Sequence, residues 1–390
     1  MKIFKVIGFL ILAVPAIVLL AIGPRAKYEA PKGVVVVEYW EKWTGEEGAA
    51  LQAVVDDFNR TVGKEKGIYV NCLSASGVVQ KTLVATAGGV PPDVAGLWDN
   101  ILAQFAALGA LEPLDDLAKA HGITEKTYKK VFWDECHYDN KLYALVSTPY
   151  VYALHYNTKI FEDSADRLRQ AGLDPTRPPK TIAELDAYAQ AIDVKNPDGT
   201  IRVTGYLPLE PGWDISYLPY QFGGTWWDAE NKKFTFTDPK VIEAFKWVES
   251  YSKRLGRSAV SEFRSGFGNY DSPQNPFLAG TTSMVSQGTF FANVIHTKNK
   301  SMSKQWAAAP LPTLPGLAGT TSAQADILVI PKGAKHKKEA FEFIAYMNRQ
   351  DVMEKLCNAH CKISPLAEVS EAFRANHNNP YIRVFEDLAA

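Results

Sequence analysis

The sequence predicts an α/β protein built on a doubly wound, mainly parallel sheet, and three observations carry that expectation. Short apolar runs rich in β-branched residues alternate with stretches whose apolar residues recur at helical spacing, the signature of β-α-β units. Hydrophobic residues make up 46% and charged residues 22%, ordinary globular usage that leaves no room for disorder as a main theme. No internal repeat, heptad run or low-complexity segment interrupts the alternation. At 390 residues the chain has the length of two or three domains at about 150 residues each.

The elements follow in order. Gly33-Val-Val-Val-Val-Glu-Tyr-Trp reads as a strand buried on both faces. After Thr44-Gly45, Leu51, Val54, Val55 and Phe58 mark a helix. Ile68–Leu73 and Asp93–Trp98 are the next strands, with Gln80–Ala87 and Ile101–Leu108 as their helices. Leu142–Val146 and Tyr150–Tyr156 are two strands separated by Ser147-Thr148-Pro149. Helices follow at Ile160–Ala171, Ile182–Ile192 and Val241–Leu255, punctuated by Pro178-Pro179 and Asn196-Pro197-Asp198-Gly199. Ser283–Ser286, Trp306–Ala309 and Ile327–Ile330 are strands, and Lys335–Met347 is an amphipathic helix. Ligands of such sheets bind outside the carboxyl ends of the strands, where Trp40, Trp43, Trp98, Asp99 and Asn100 fall.

Residues 1–26 stand apart. Lys2 and Lys5 precede Val6–Ile22, a stretch without a charged or polar side chain that would span about 26 Å as a helix. That is near the lower limit for a bilayer core of about 30 Å. Ala21-Ile22-Gly23 offers small residues for cleavage, but Pro24 follows directly. A cleaved signal peptide or an uncleaved membrane anchor both place the remaining chain outside the cytoplasm.

Forty-two basic against 43 acidic residues leave a formal charge of −1, which gives no general hold on nucleic acid. The sequence lacks a phosphate-binding loop, a zinc-protease helix and a nucleophile elbow. Gly266-Phe-Gly268 opens like a dinucleotide fingerprint but meets Asp271 where the third glycine belongs. The seven histidines are scattered singly, and His155 inside an apolar strand reads as a hydrogen-bonded core residue. Asp56-Asp57 and Asp115-Asp116 fit helix faces and helix starts. Cys72, Cys136, Cys357 and Cys361 are too few for a disulfide framework. Cys357-Asn-Ala-His360-Cys361 invites a metal reading, but no second ligand pair follows and Cys357 fits an apolar helix face. No metal, cofactor or catalytic residue is therefore expected.

Aromatic residues number 45, nine of them Trp, and many adjoin turn-forming residues: Trp43-Thr-Gly45, Pro211-Gly-Trp213, Gly224-Thr-Trp226-Trp227 and Gly288-Thr-Phe290-Phe291. A sugar ring has apolar C–H faces and a hydroxyl rim, so its site wants flat rings beside Asp, Asn, Gln or Glu. The same rings also serve as plugs at helix starts, and Trp226 and Trp227 cannot both face one cleft as extended neighbours. Asp99, directly after Trp98 at a strand end, suits a hydroxyl anchor or a catalytic acid.

Eight segments in order resemble the extracellular solute-binding proteins of family 1, the sugar-capturing components of bacterial ABC importers. They are Trp40-Glu-Lys-Trp43, Val55-Asp-Asp-Phe58-Asn59, Ala87-Gly-Gly-Val-Pro-Pro-Asp93-Val and Gly109-Ala-Leu-Glu-Pro-Leu114; then Tyr143-Ala-Leu to Ala153-Leu-His-Tyr156-Asn157, and Phe277-Leu-Ala-Gly280 to Ser283-Met-Val-Ser-Gln-Gly288; finally Ala309-Pro-Leu-Pro312, and Ile330-Pro-Lys-Gly-Ala-Lys335 to Ala340-Phe-Glu-Phe343-Ile. The resemblance implies a type II periplasmic-binding-protein fold: two α/β lobes joined by hinge strands that clamp a ligand by closing. By matching segment, the first lobe would comprise 27–147 plus 324–363 and the second 148–323 plus 364–390. Ligand contacts would come from Trp43, Trp98 and Asp99 in the first lobe and Tyr150 at the hinge. Trp213, Gln287 and Phe290 would serve in the second lobe, with Gln324 and Asp326 at the returning hinge.

The implied partners are a mono- or oligosaccharide and the transmembrane subunits of a permease, with no nucleic acid, membrane contact through residues 6–22 if they stay uncleaved, and a monomeric state. Three departures stand out. The leader lacks the lipoprotein Cys common among relatives, Phe290 stands where relatives often have Trp, and the chain stops at Ala390 where relatives usually continue with another helical segment. Two other functions share these features: an exported glycan-processing enzyme using Asp99, and a membrane-anchored ligand sensor.

Overall fold

The computed structural model describes residues 30–210, 215–268, 270–317 and 321–390; the apolar leader and Trp213 lie outside them. Nine strands among the described residues form one mixed sheet: β1 (Val35–Glu41), β2 (Ile68–Ser74), β3 (Val94–Trp98), β4 (Ala144–Asn157), β5 (Val194–Lys195), β6 (Ile201–Tyr206), β7 (Thr282–Gly288), β8 (Trp306–Ala309) and β9 (Ala323–Val329). Their order is β2-β1-β3-β9-β4-β7-β6-β5, with β8 paired to β4 off this path. Pairing is parallel at β2-β1-β3 and at β7-β6. It is antiparallel where β9 meets β3 and β4, and where β4 meets β7 and β8. The parallel expectation thus holds for β2-β1-β3 and for β7-β6, whereas the strands that join these groups run against their neighbours and the edge strand β5 pairs antiparallel with β6.

β4 is the element that joins the two halves. Its first part pairs with β9 from Ala144 to Val151, and its second part pairs with β7 and β8 from Tyr152 to Asn157. The two strands expected at Leu142–Val146 and Tyr150–Tyr156 are therefore one. Ser147-Thr148-Pro149 does not end it, because the register shifts between Asp326 and Ile327 while the partners step from Thr148 to Val146. That bulge at Ser147 admits Pro149, which cannot donate to a ladder.

The first strand also differs from its reading. Val37, Tyr39 and Glu41 are buried while Val36, Glu38 and Trp40 are half-buried, so the apolar run has one deep face rather than two. The helix Gly45–Arg60 buries Leu51, Val54, Val55 and Phe58 as its spacing predicts. The expected helix over Ile160–Ala171 is two, Thr158–Asp163 and Ala165–Gln170, parted at buried Ser164. β6 ends at Tyr206, and Thr204-Gly205 interrupts its apolar pattern. Gly205 is required there: a Cβ would stand 2.4 Å from the Ala189 Cα of the helix packed on it.

Two large cores result. One gathers Val37, Phe58, Leu145, Ile327, Phe341 and Ile344, and extends through Phe291, Trp306 and Phe385 behind the second half of the sheet. The other holds Tyr152, Leu154, Phe161, Leu185, Tyr206 and Trp247. His155 is fully buried in the first, stacked 5.2 Å from Trp306, and burial pushes its imidazole down to about 3. The four cysteines are free thiols, three of them buried. His360 turns from its neighbouring cysteines to pack on Trp43 and bond the Glu47 carbonyl, and no cluster of three or more His, Cys, Asp or Glu fit for a metal occurs among the described residues. No helix among them is long and apolar enough to cross a membrane.

Candidate functional site

The ends of β1 and β3, the bulged middle of β4 and the start of β9 meet at one place. Asp326 on β9 pairs in register with Trp98 on β3 and Thr148 on β4. Its carboxylate is 2% exposed and holds two ammonium groups. Lys42 Nζ lies 3.0 Å from Oδ1, and Lys362 Nζ lies 2.5 Å from Oδ2. Thr148 Oγ1 donates to the same Oδ2 at 3.0 Å. Burial alone would raise this carboxyl, but Lys362 and Lys42 outweigh it and hold it well below the usual carboxylate range. Lys362 answers in kind: burial lowers its ammonium, and Asp326 and Glu47 raise it above its ordinary value.

Lys42 is placed by the strand that ends beside it. Its Nζ donates to the Leu97 carbonyl at 3.1 Å and lies 3.4 Å from Glu41 Oε1. Glu41 is fully buried, receives the Tyr39 hydroxyl and accepts from the Lys42 backbone N–H at 2.6 Å. Gly96 on β3 makes room for it, because a Cβ there would stand 1.9 Å from Glu41 Oε2. Two buried ammonium groups thus face two buried carboxylates.

Rings surround these charges. Lys42 Nζ sits 4.8 Å from the Trp43 centroid and 5.3 Å from that of Trp98. Lys362 Nζ sits 5.2 Å from Trp43, 5.6 Å from Tyr150 and 5.9 Å from Phe290. Trp43 packs edge-on against His360 at 4.5 Å, and Tyr150 edge-on against Phe290 at 5.3 Å. The Tyr150 hydroxyl donates to Gln324 Oε1 at 2.6 Å, joining paired residues of β4 and β9. Trp43 and Tyr150 are buried, and Trp98 is the exposed ring of the group at 42%.

Asp99 adjoins the cluster from the turn after β3, where its Oδ2 accepts from the Ala325 backbone N–H at 2.6 Å. Burial pushes its carboxyl up to about 7 against the pull of that hydrogen bond. Glu47 is likewise raised by burial, although Lys362 opposes the shift.

Of the residues singled out from sequence, Trp43, Trp98, Asp99, Tyr150, Phe290, Gln324 and Asp326 come together around this centre. Gln287 does not join them. Its neighbour Ser286 meets the Tyr206 hydroxyl on the face that also carries Tyr150, so alternation turns Gln287 to the opposite face, fully buried. Lys42, Lys362, Glu41 and Thr148 were not anticipated. Lys42 adjoins Trp43 at a strand end and could have been found on that signal. Lys362, 36 residues beyond its partner Asp326, had none. Two surface depressions of about 440 and 370 Å³, beside Trp133 and His137 and beside His121 and Tyr346, share no residue with the cluster.

Comparison with known proteins gives the family and the fold. Residues 42–354 match the family described as bacterial extracellular solute-binding protein. Among curated relatives, the sn-glycerol-3-phosphate-binding periplasmic protein UgpB of Shigella flexneri is 25% identical over 265 residues, 65% of this chain and 56% of that one. Its Escherichia coli K12 counterpart is 24% identical over 264 residues with the same coverage, so the match spans little more than half the length of these relatives. Among solved structures, CpMnBP1 with mannotriose bound is 28% identical, with a TM-score of 0.76 over 91% of this chain and 88% of that one. UgpB from Mycobacterium tuberculosis with glycerophosphocholine is 22% identical, with a TM-score of 0.71 over 91% and 86%, a likeness of fold. The fold is that of type II periplasmic binding proteins, two α/β lobes sharing crossing strands. The chain belongs to the bacterial extracellular solute-binding protein family.

Proposed function

We propose that this protein is the extracytoplasmic receptor of an ABC importer, taking a mono- or oligosaccharide between its lobes and handing it unchanged to a membrane permease. The observation that carries the reading is the meeting of Trp43, Trp98, Asp99, Tyr150, Phe290 and Gln324, drawn from separate segments, at the strands shared by the two halves. Rings beside amide and carboxylate groups suit the faces and rim of a sugar. The lobes comprise 27–147 plus 324–363 and 148–323 plus 364–390, and they swing about β4 and β9. Trp43 and Tyr150 are buried with the lobes as they stand, so a ligand enters by separating Phe290 of the second lobe from Lys362 of the first and is gripped on closure. Trp213, the further ring expected from the second lobe, lies outside the described residues. Residues 6–22 either direct export or tether the protein, and the Lys335–Lys338 helix start is offered to the permease.

The charge balance of the cluster favours a neutral ligand over a glycerophosphate, since Lys42 and Lys362 are already matched by Glu41 and Asp326. Isothermal titration with mannobiose, mannotriose, maltotriose, sn-glycerol 3-phosphate and glycerophosphocholine tests this directly. A saccharide is expected to bind, and exposed Trp98→Ala to weaken it about tenfold with stability unchanged. Silence from every saccharide with folded protein counts against the reading. Turnover of a chromogenic glycoside, lost in Asp99→Asn, would replace it with an enzyme.

A further inference from the structure

Lys362 follows the helix Gln350–Ala359, and its side chain is 4% exposed. Its ammonium is anchored by Asp326 Oδ2 at 2.5 Å and contacts Thr148 Oγ1 at 3.1 Å. Three rings from distant parts of the chain, Trp43, Tyr150 and Phe290, stand 5.2, 5.6 and 5.9 Å from the same nitrogen. A cation within about 6 Å of a ring centroid is drawn to the ring's negative face, and several rings together form a receptor for onium groups. In this protein the receptor is filled by the chain's own cation.

We propose that Lys362 sets the specificity of the cleft: its ammonium occupies the place between Trp43, Tyr150 and Phe290 that a ligand cation would take, so the cleft admits uncharged, hydroxyl-rich ligands and refuses cationic ones. This rests on the carbohydrate-receptor reading and narrows it. A second positive charge entering the cluster meets Lys362 and Lys42 together, while Glu41 and Asp326 are already engaged with them. Removing the Lys362 side chain leaves Asp326 paired with Lys42 and clears both the ammonium and its four-carbon stem from between the rings.

The test compares choline with its uncharged isostere 3,3-dimethylbutan-1-ol by isothermal titration, on wild type, Lys362→Ala, Lys362→Ser and Lys362→Arg, with folding checked by circular dichroism. Wild type and Lys362→Arg should bind choline no more tightly than the isostere. Lys362→Ala or Lys362→Ser should bind choline at least about tenfold more tightly than the isostere and than wild type does, the gain of a desolvated cation–π site. A folded small-side-chain variant that treats the two probes alike overturns the proposal. So does wild type that binds choline more tightly than the isostere, a measurement that needs no variant. The saccharide panel on wild type reports separately: if every sugar is silent while the choline gain is present, the carbohydrate reading fails and the cation-excluding role of Lys362 stands.

Discussion

Asp326→Asn removes the one anion shared by two buried ammonium groups, and its cost can be worked from the contacts. Lys42 keeps the Leu97 carbonyl at 3.1 Å and Glu41 at 3.4 Å, whereas Lys362 keeps the Thr148 hydroxyl at 3.1 Å and only the longer-range charge of Glu47. An uncompensated charge left in such a place costs about 3–5 kcal/mol, and most of it should arise at Lys362. The expected loss of unfolding free energy at pH 7 is therefore about 3–5 kcal/mol. Removing the stranded cation as well, in Asp326→Asn/Lys362→Met, should recover part of that loss. The pH dependence has a definite sign. The folded carboxyl of Asp326 lies below its unfolded value, so its contribution is present above about pH 4 and is lost as the pH falls through the folded value. The gap between wild type and Asp326→Asn should hold at pH 7 and narrow below about pH 4. Urea unfolding followed by circular dichroism at both ends of that range measures it. A loss under about 1 kcal/mol at pH 7, or a gap that does not narrow in acid, would show that Asp326 does not bind these cations as described.

Asp99 titrates in the opposite sense. Its folded carboxyl is pushed up to about 7 by burial, so its contribution is whole below the unfolded value and is lost as the pH rises through the folded one. Asp99→Asn should therefore raise the urea midpoint relative to wild type at pH 8 and leave it nearly unchanged at pH 4. Gly96→Ala sets a methyl 1.9 Å from the Glu41 carboxylate, which Tyr39 and Lys42 hold in place, and should cost about 1–3 kcal/mol by thermal or urea unfolding. Burial pushes the thiols of Cys72 and Cys361 up to about 12, so a disulfide-exchange reagent at pH 8 should react with them slowly in native protein and rapidly in urea.

Much of the architecture was legible because it is written in local patterns. The period of Leu51, Val54, Val55 and Phe58 determined a helix, and the β-branched runs determined strands, since those choices depend on neighbours within a few residues. Aromatic residues at strand ends marked the region of the site for the same reason: the carboxyl ends of strands in an α/β sheet open together. The strand break expected at Ser147-Thr148-Pro149 was misread because a bulge depends on the partner strand, and β9 lies far away in sequence.

Tertiary structure alone decided the rest. Whether Gln287 faced the cluster or its reverse side turned on the register of β7 against β4, in which one residue exchanges the faces. That Asp326 holds two lysines, and that Lys362 lies among three rings, depended on bringing positions 42, 43, 148, 150, 290, 326 and 362 to one point. Local patterns record what each segment buries, not which distant charge compensates it. Desolvation makes that pairing necessary, and only the folded chain shows which groups supply it.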